Sequence, residues 1–151
     1  MVVAGEASGD LHAANMVRAL RRLRPELRFS GMGGGALRDA GVEILVDSTR
    51  LAVVGLVEVL AHYGDIRRAL NTLKHSIERE PPRLLVLVDY VEFNLRLARF
   101  AKGKGVKVLF YVSPQVWAWR ARRVRRIGQV IDAMAVLFPF EEAVYREHGI
   151  P

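Results

Sequence analysis

Three stretches of the chain hold residue types at spacings that chemistry can use. In Asp89-Tyr-Val-Glu-Phe-Asn94, two carboxylates and an amide follow directly on the apolar run Leu84–Val88. A carboxylate at the mouth of such a run can take the proton of an attacking hydroxyl, and general-base help of this kind is worth about 10²–10⁴ in rate. Asp89 or Glu92 can equally be a carboxylate satisfied by the N–H groups of a following helix. In Gly5-Glu-Ala-Ser-Gly-Asp10, small residues let the backbone approach a ligand, and a helix start there offers N–H groups to an oxyanion. Ser8 and Asp10 can instead cap that helix. In Tyr111-Val-Ser-Pro-Gln-Val-Trp-Ala-Trp-Arg120, followed by Arg122, Arg123, Arg125 and Arg126, the rings of Trp117 and Trp119 can stack on a sugar or base while arginines hold phosphate. The bland alternative is two packing tryptophans and a solvated basic face.

Other features carry less. Gly31-Met-Gly-Gly-Gly-Ala36 satisfies a dinucleotide-binding spacing, but it falls on the second strand of the reading and Gly41 follows Ala36 by only five residues, so a full βαβ unit fits poorly. The apolar stretch from Leu51 to Tyr63, bounded by Arg50 and by Arg67 and Arg68, is either a buried helix or a cation-rimmed patch that meets lipid. His12, His62, His75 and His148 show no metal-ligand spacing, and the reading assigns neither metal nor cofactor.

The elements that must hold these residues alternate. Met1–Ala4, Leu27–Gly31, Val42–Val46, Leu84–Val88, Val106–Val112 and Ala133–Leu137 read as strands. Between the first two, Ala13, Met16, Val17, Leu20 and Leu23 make one helical stripe, which Ser8 or Asp10 can cap and Pro25 ends. Ile66, Leu70, Leu73 and Ile77 make another, stopped by Pro81 and Pro82. Leu84–Val88 is apolar without alternation, which suits a parallel strand covered on both faces. The predicted fold is therefore α/β, a Rossmann-like parallel sheet sandwiched by helices, with residues 1–151 as one unit. In such a sheet, ligands gather outside the carboxyl ends of the strands, where the first three stretches lie. The short first strand and the stop at Pro151 suggest a piece of something larger.

Composition sets outer limits. The chain has 151 residues, 51% of them hydrophobic, enough for one core, and no cysteine for a disulfide, thiolate metal site or thiol nucleophile. The Met1–Asp10 segment turns polar too early for a signal peptide, and no apolar run approaches the roughly 20 residues that span a bilayer. A cytoplasmic protein is expected. The formal charge of +7 and pI near 10.4 call for an anionic partner: nucleic acid, an anionic lipid surface or a phosphorylated substrate. Acids at the strand mouths, Asp10, Asp89 and Glu92, argue against nucleic acid.

Six motifs taken together carry a resemblance: A-G-E-A-S-G-D (Ala4–Asp10), G-M-G-G (Gly31–Gly34), L-A-V-V-G-L-V-E-V-L (Leu51–Leu60), Asp89-x-x-x-Phe93-Asn94, Y-V-S-P-Q-V-W-A-W-R (Tyr111–Arg120) and F-P-F-E (Phe138–Glu141). In this order they resemble lipid-A-disaccharide synthase. The resemblance implies the N-terminal half of a two-domain GT-B glycosyltransferase, with the C-terminal UDP-binding half absent and this half alone inactive. It implies inverting transfer of 2,3-diacylglucosamine from its UDP derivative to the 6-hydroxyl of 2,3-diacylglucosamine 1-phosphate at the anionic inner-membrane surface. Asp89 would be the base. Glu6, Ser8, Gly9, Asp10 and Asn94 would shape the acceptor pocket, with Ser113, Trp117, Trp119 and Arg120 binding substrate. The basic stretch Arg120–Arg126 would face phosphate or membrane, and Leu56, Val57, Val59, Leu60 and Tyr63 would meet acyl chains or bilayer. Val91 stands where the motif of the resembled family usually has proline. An alternative is a non-catalytic acceptor-binding half that needs a separate C-terminal partner.

Overall fold

The computed structural model of the protein describes residues 1–51, 63–113 and 121–151. Six strands form one sheet: β1 (Val2–Ala4), β2 (Ser30–Gly33), β3 (Glu43–Asp47), β4 (Leu84–Val88), β5 (Lys107–Tyr111) and β6 (Ala133–Ala135). All pairings are parallel, in the order β3-β2-β1-β4-β5-β6. The described helices are α1 (Ala7–Leu23), α2 (Gly35–Asp39), α3 (Tyr63–Arg79), α4 (Val91–Gly103), α5 (Ala121–Gly128) and α6 (Pro139–Glu147), with a 3₁₀ turn at Ser48–Arg50. This is the Rossmann-like sandwich that the strand composition predicts.

The sheet is covered on both faces, which is why β4 needs no polar alternation. Val2, Ala4, Val86 and Val88 pack with Ala13, Ala14 and Val17 of α1 and Leu37 of α2 on one side. Val3, Leu85, Leu87 and Phe110 pack with Leu73 and Ile77 of α3, Leu97 of α4 and Ile127 of α5 on the other. Each fully buried aliphatic side chain of this kind contributes about 1.5–3 kcal/mol.

Two expectations need correction. The buried stripe of α1 is Gly9, Asp10, Ala13, Ala14 and Val17, while Leu23 is 76% exposed. The small residues at Gly9, Ala13 and Ala14 let α1 approach the sheet closely, and that sets which face is inward. The strand bounds also move: β2 is Ser30–Gly33 rather than Leu27–Gly31, and β6 ends at Ala135, since Leu137 is 52% exposed and serves the entry to α6.

β2 crosses between β1 and β3 with a register shift at Gly31/Met32. Gly31 has φ 151, and a Cβ there would stand 1.8 Å from the carbonyl oxygen of Val2. Neither the angle nor the space admits a side chain without moving β1. Gly31→Ala should therefore cost roughly 2–4 kcal/mol, read as a lowered urea midpoint at unchanged m-value. A loss under about 0.5 kcal/mol would show that β1 shifts freely, against this account.

Candidate active site

The strand order reverses between β1 and β4, and in sheets of this order the crevice outside those two carboxyl ends is where ligands bind. The chain leaving β1 is Gly5-Glu-Ala-Ser-Gly-Asp10, and the chain leaving β4 is Asp89-Tyr-Val-Glu-Phe-Asn94. Two of the three stretches singled out in the sequence thus face each other across the crevice.

Asp89 and Tyr90 both adopt left-handed backbone angles, φ 50 and φ 38, which are uncommon for side-chain-bearing residues and cluster at functional sites. Asn94 holds the turn. Its side chain is wholly buried, and Nδ2 donates to the carbonyl oxygens of Val88 at 3.0 Å and Asp89 at 2.8 Å. Its own Oδ1 is buried and has no partner among the described residues. Asn94 therefore sits beneath the site, fixing how β4 ends.

The turn throws the Asp89 carboxylate back towards α1. Oδ1 accepts from the Gly5 N–H at 3.0 Å. Oδ2 lies so close to Gly9 that a Cβ there would come within 1.6 Å of it, so a side chain at residue 9 would evict the carboxylate. Oδ2 is buried and has no hydrogen-bond partner among the described residues. Burial pushes the Asp89 carboxyl up from its ordinary 3.8 to about 7, the like charges of Glu6 and Asp10 adding to this and the N–H groups of Gly5 and Glu6 opposing it. Asp89 does not cap the following helix, as one reading of the sequence allowed: its hydrogen bond comes from the β1–α1 loop instead.

Asp10 is the larger correction. Neither Asp10 nor Ser8 caps α1, which Glu6 precedes without a side-chain cap bond. Asp10 instead points into the next helix start, accepting from the N–H groups of Gly34 at 2.7 Å, Ala36 at 2.9 Å and Leu37 at 3.3 Å. It lies in the first turn of α1, four residues beyond Glu6, with its side chain towards the β2–α2 loop. The dinucleotide-like glycine run thus spends its N–H groups on the chain's own carboxylate. Glu6 and Ser8 are exposed at the crevice, whereas Gly9 and Asp10 are buried.

At the neighbouring strand end, Val112 has φ 70, a second strained position and one that its β-branched side chain disfavours. Ser113 follows, buried, its hydroxyl 2.7 Å from the Tyr145 hydroxyl of α6. Glu141, also buried, accepts from the N–H groups of Leu137 at 3.2 Å and Phe138 at 3.1 Å, fixing the start of α6. Trp117, Trp119, Arg120, Leu56, Val57, Val59 and Leu60 lie outside the described residues, as do the side chains of Arg122 and Arg123. Tyr63 opens α3 and is 54% exposed. Among the described residues, no group of His, Asp or Glu is arranged to hold a metal.

Tyr90 escaped the sequence reading. Its ring stacks on Phe93 at 5.2 Å and covers Gly5, where an added Cβ would meet it at 2.6 Å. The aromatic spacing Tyr90-x-x-Phe93 was visible, but the left-handed turn that directs it was not.

The family model for lipid-A-disaccharide synthetase matches residues 1–151. The chain is 60% identical over 151 residues to a protein of Geobacter sulfurreducens, covering all of this chain and 39% of that relative. It is 57% identical over 150 residues to one of Nitrosococcus oceani, covering 99% of this chain and 39% of the relative. It is 49% identical over 151 residues to one of Coxiella burnetii, covering 100% and 40%. Each of the three carries the name lipid-A-disaccharide synthase. The chain thus spans about two fifths of the length of these relatives.

The raised carboxyl makes a stability prediction. A folded-state pKa of about 7 against an ordinary 3.8 means the native state holds the proton more tightly, so native stability is fullest below about 4 and falls as pH rises through 7. Three pH units correspond to roughly 4 kcal/mol, reduced to about 2 kcal/mol for a group partly open to solvent. Asp89→Asn, neutral throughout, should therefore match the wild type near pH 4 and exceed it by about 2 kcal/mol at pH 8 in urea unfolding. A difference that does not change with pH would mean an ordinary, solvated carboxyl.

Proposed function

The chain belongs to the lipid-A-disaccharide synthetase family, and from that premise we propose that residues 1–151 form the acceptor-side half of an inverting glycosyltransferase. The acceptor is 2,3-diacylglucosamine 1-phosphate, and the donor is UDP-2,3-diacylglucosamine, held mainly by a C-terminal half. The acceptor's 6-hydroxyl oxygen attacks the anomeric carbon of the donor sugar, the bond from that carbon to UDP breaks, and the hydroxyl proton passes to Asp89. Attack from the side opposite UDP gives the β-1,6 disaccharide.

The observation that carries this reading is the buried Oδ2 of Asp89 at the switch point of the sheet, which has no hydrogen-bond partner among the described residues. A carboxylate whose pKa lies near 7 is a much stronger base than one at its ordinary value, yet a usable share of it is ionised at neutral pH. Gly9 makes room for it, and Asn94 and Gly5 orient it, so little reorganisation is needed when a hydroxyl arrives. Glu6, exposed on the facing loop, and Ser8, exposed in the first turn of α1, would meet the sugar's hydroxyls, and Ser113, Trp117, Trp119 and Arg120, which follow β5 in the chain, would bind substrate. Asp10 acts by holding the β2–α2 loop that walls the crevice.

Among the described residues no helix is long and apolar enough to cross a membrane. The enzyme would reach its lipid substrates from the cytoplasmic face, as a peripheral protein whose basic surface meets anionic headgroups. Leu56, Val57, Val59, Leu60 and Tyr63 would make the apolar contact.

The chain, mixed with a separately expressed C-terminal half from the same source and both substrates, should release UDP, and neither half should do so alone. The rate should climb with pH through about 7 as Asp89 ionises. It should fall about 10²–10⁴-fold in Asp89→Asn. No release from two properly folded halves would sink the catalytic reading and leave an acceptor-binding module.

A further inference from the structure

Beside the site, on the α3/α4 side of the sheet, lies an open groove of about 840 Å³. Its walls are Ile66 and Leu70 of α3 and Tyr90, Phe93 and Phe100 of the α4 segment. Tyr90 ties the near end to the Asp89 turn, and the eight helical steps from Glu92 to Phe100 carry the groove roughly 12 Å along α4. The size is that of a ligand site and the lining is largely apolar, as such sites are.

The rim is charged, and the charge is one-sided. Arg67, Lys74, Arg96 and Arg99 border the groove, and among its described lining residues Glu92 is the one acid. Some cations elsewhere on the surface find acids: Lys104 pairs with Glu78, Lys102 and Lys107 with Asp132, Arg146 with Glu142 and Arg38 with Asp47, whereas Arg22, Arg28, Arg79 and Arg83 stand singly without an ion pair among the described residues. Arg67, Arg96 and Arg99 have no ion pair among the described residues, and Lys74 rests over the Phe100 ring at 5.2 Å. Arg96 and Arg99 are three residues apart on one helix face, where like charges repel, and Arg126 of α5 joins them around a second small cleft. Such a cluster is relieved by an anion, and guanidinium groups match phosphate in bidentate geometry.

We propose that this groove takes one acyl chain of a phosphorylated amphiphile, with Arg96 and Arg99 receiving the phosphate. An apolar trough with cations on its rim fits a ligand that is apolar along its length and dianionic at one end. Neither a bare anion nor a neutral lipid uses both features. The inference deepens the reading of the chain as an acceptor-binding half: it gives the acceptor's tail and phosphate a place on α3 and α4, adjoining Tyr63 and Arg126 of the segments assigned to them from sequence.

The test uses the chain itself and dodecyl phosphate below its micelle concentration, with dodecyl maltoside, inorganic phosphate and anionic phospholipid vesicles as comparators, followed by calorimetry. Dodecyl phosphate should bind at least about tenfold more tightly than the maltoside or inorganic phosphate, the factor two charge-assisted hydrogen bonds readily supply. Arg96→Gln with Arg99→Gln should erase the preference for phosphate over maltoside. Asn71→Trp, at an exposed lining position, should weaken both amphiphiles by filling the groove. All three positions are exposed, so the fold survives these changes. Equal binding of the two amphiphiles, insensitivity to Asn71→Trp, or binding to vesicles but not to the monomeric amphiphile would each overturn the proposal. The catalytic reading stands or falls separately on UDP release.

Discussion

The site depends on one tight fit: the left-handed turn at Asp89 and Tyr90 pressed against the glycines of the β1–α1 loop. The Asp89 carboxylate occupies the space a side chain on Gly9 would need, and the Tyr90 ring occupies that of Gly5. β1 and β4 are hydrogen-bonded neighbours, so their outgoing chains emerge a strand's width apart, and only residues without Cβ leave room for two side chains between them. Because α1 begins at Ala7, the same glycine spacing that opens the site also seats α1 close on the sheet. Geometry at the crevice and packing of the core are consequences of one constraint.

Charge at the crevice follows from where each carboxylate finds donors. Three acids, Glu6, Asp10 and Asp89, are crowded at the ends of two strands. Asp10 is buried but accepts three backbone N–H bonds, which compensate its desolvation. Glu6 is exposed and keeps its water. Asp89 accepts from the Gly5 N–H on one oxygen and has no hydrogen-bond partner among the described residues on the other, so burial raises its pKa. Asp10 thus contributes twice, by fixing the β2–α2 loop and by adding to the field that keeps the Asp89 proton on at moderately acidic pH.

Much of this was legible in the chain. The unbroken apolar run Leu84–Val88 requires a strand covered on both faces, and the stripe of Leu70, Leu73 and Ile77 requires a helix over it, so the sandwich follows from periodicity. The acids after β1 and β4 were legible as residues at strand mouths. Their division of labour was not. Whether Asp10 caps its own helix or another depends on the direction of a side chain in the first turn of α1, a tertiary fact that local capping rules do not contain. Strain at Val112 likewise leaves no trace in composition, since valine ordinarily favours the extended strand it ends. Arg96 and Arg99 carry no signal in the sequence, because the groove they border exists only where α3 supplies the opposite wall.

The valine at residue 91, where the resemblance leads one to expect proline, can be understood in the same terms. Residue 91 is the first of α4, a position where proline is tolerated because its missing N–H has no helical partner, and where its fixed φ helps to start the helix. Valine loses that pre-organisation. What this chain keeps is Asn94, whose amide ties the last two carbonyls before the turn, and whose backbone N–H donates to Tyr90 at 3.0 Å to close the first helical bond. Residues before proline are driven away from helical angles, whereas Tyr90 here sits at φ 38 and ψ 54, free of that restriction. The carboxylate is therefore aimed by side-chain hydrogen bonds and by the room at Gly9 rather than by a ring in the backbone, which makes Asn94 the residue on which the position of Asp89 rests.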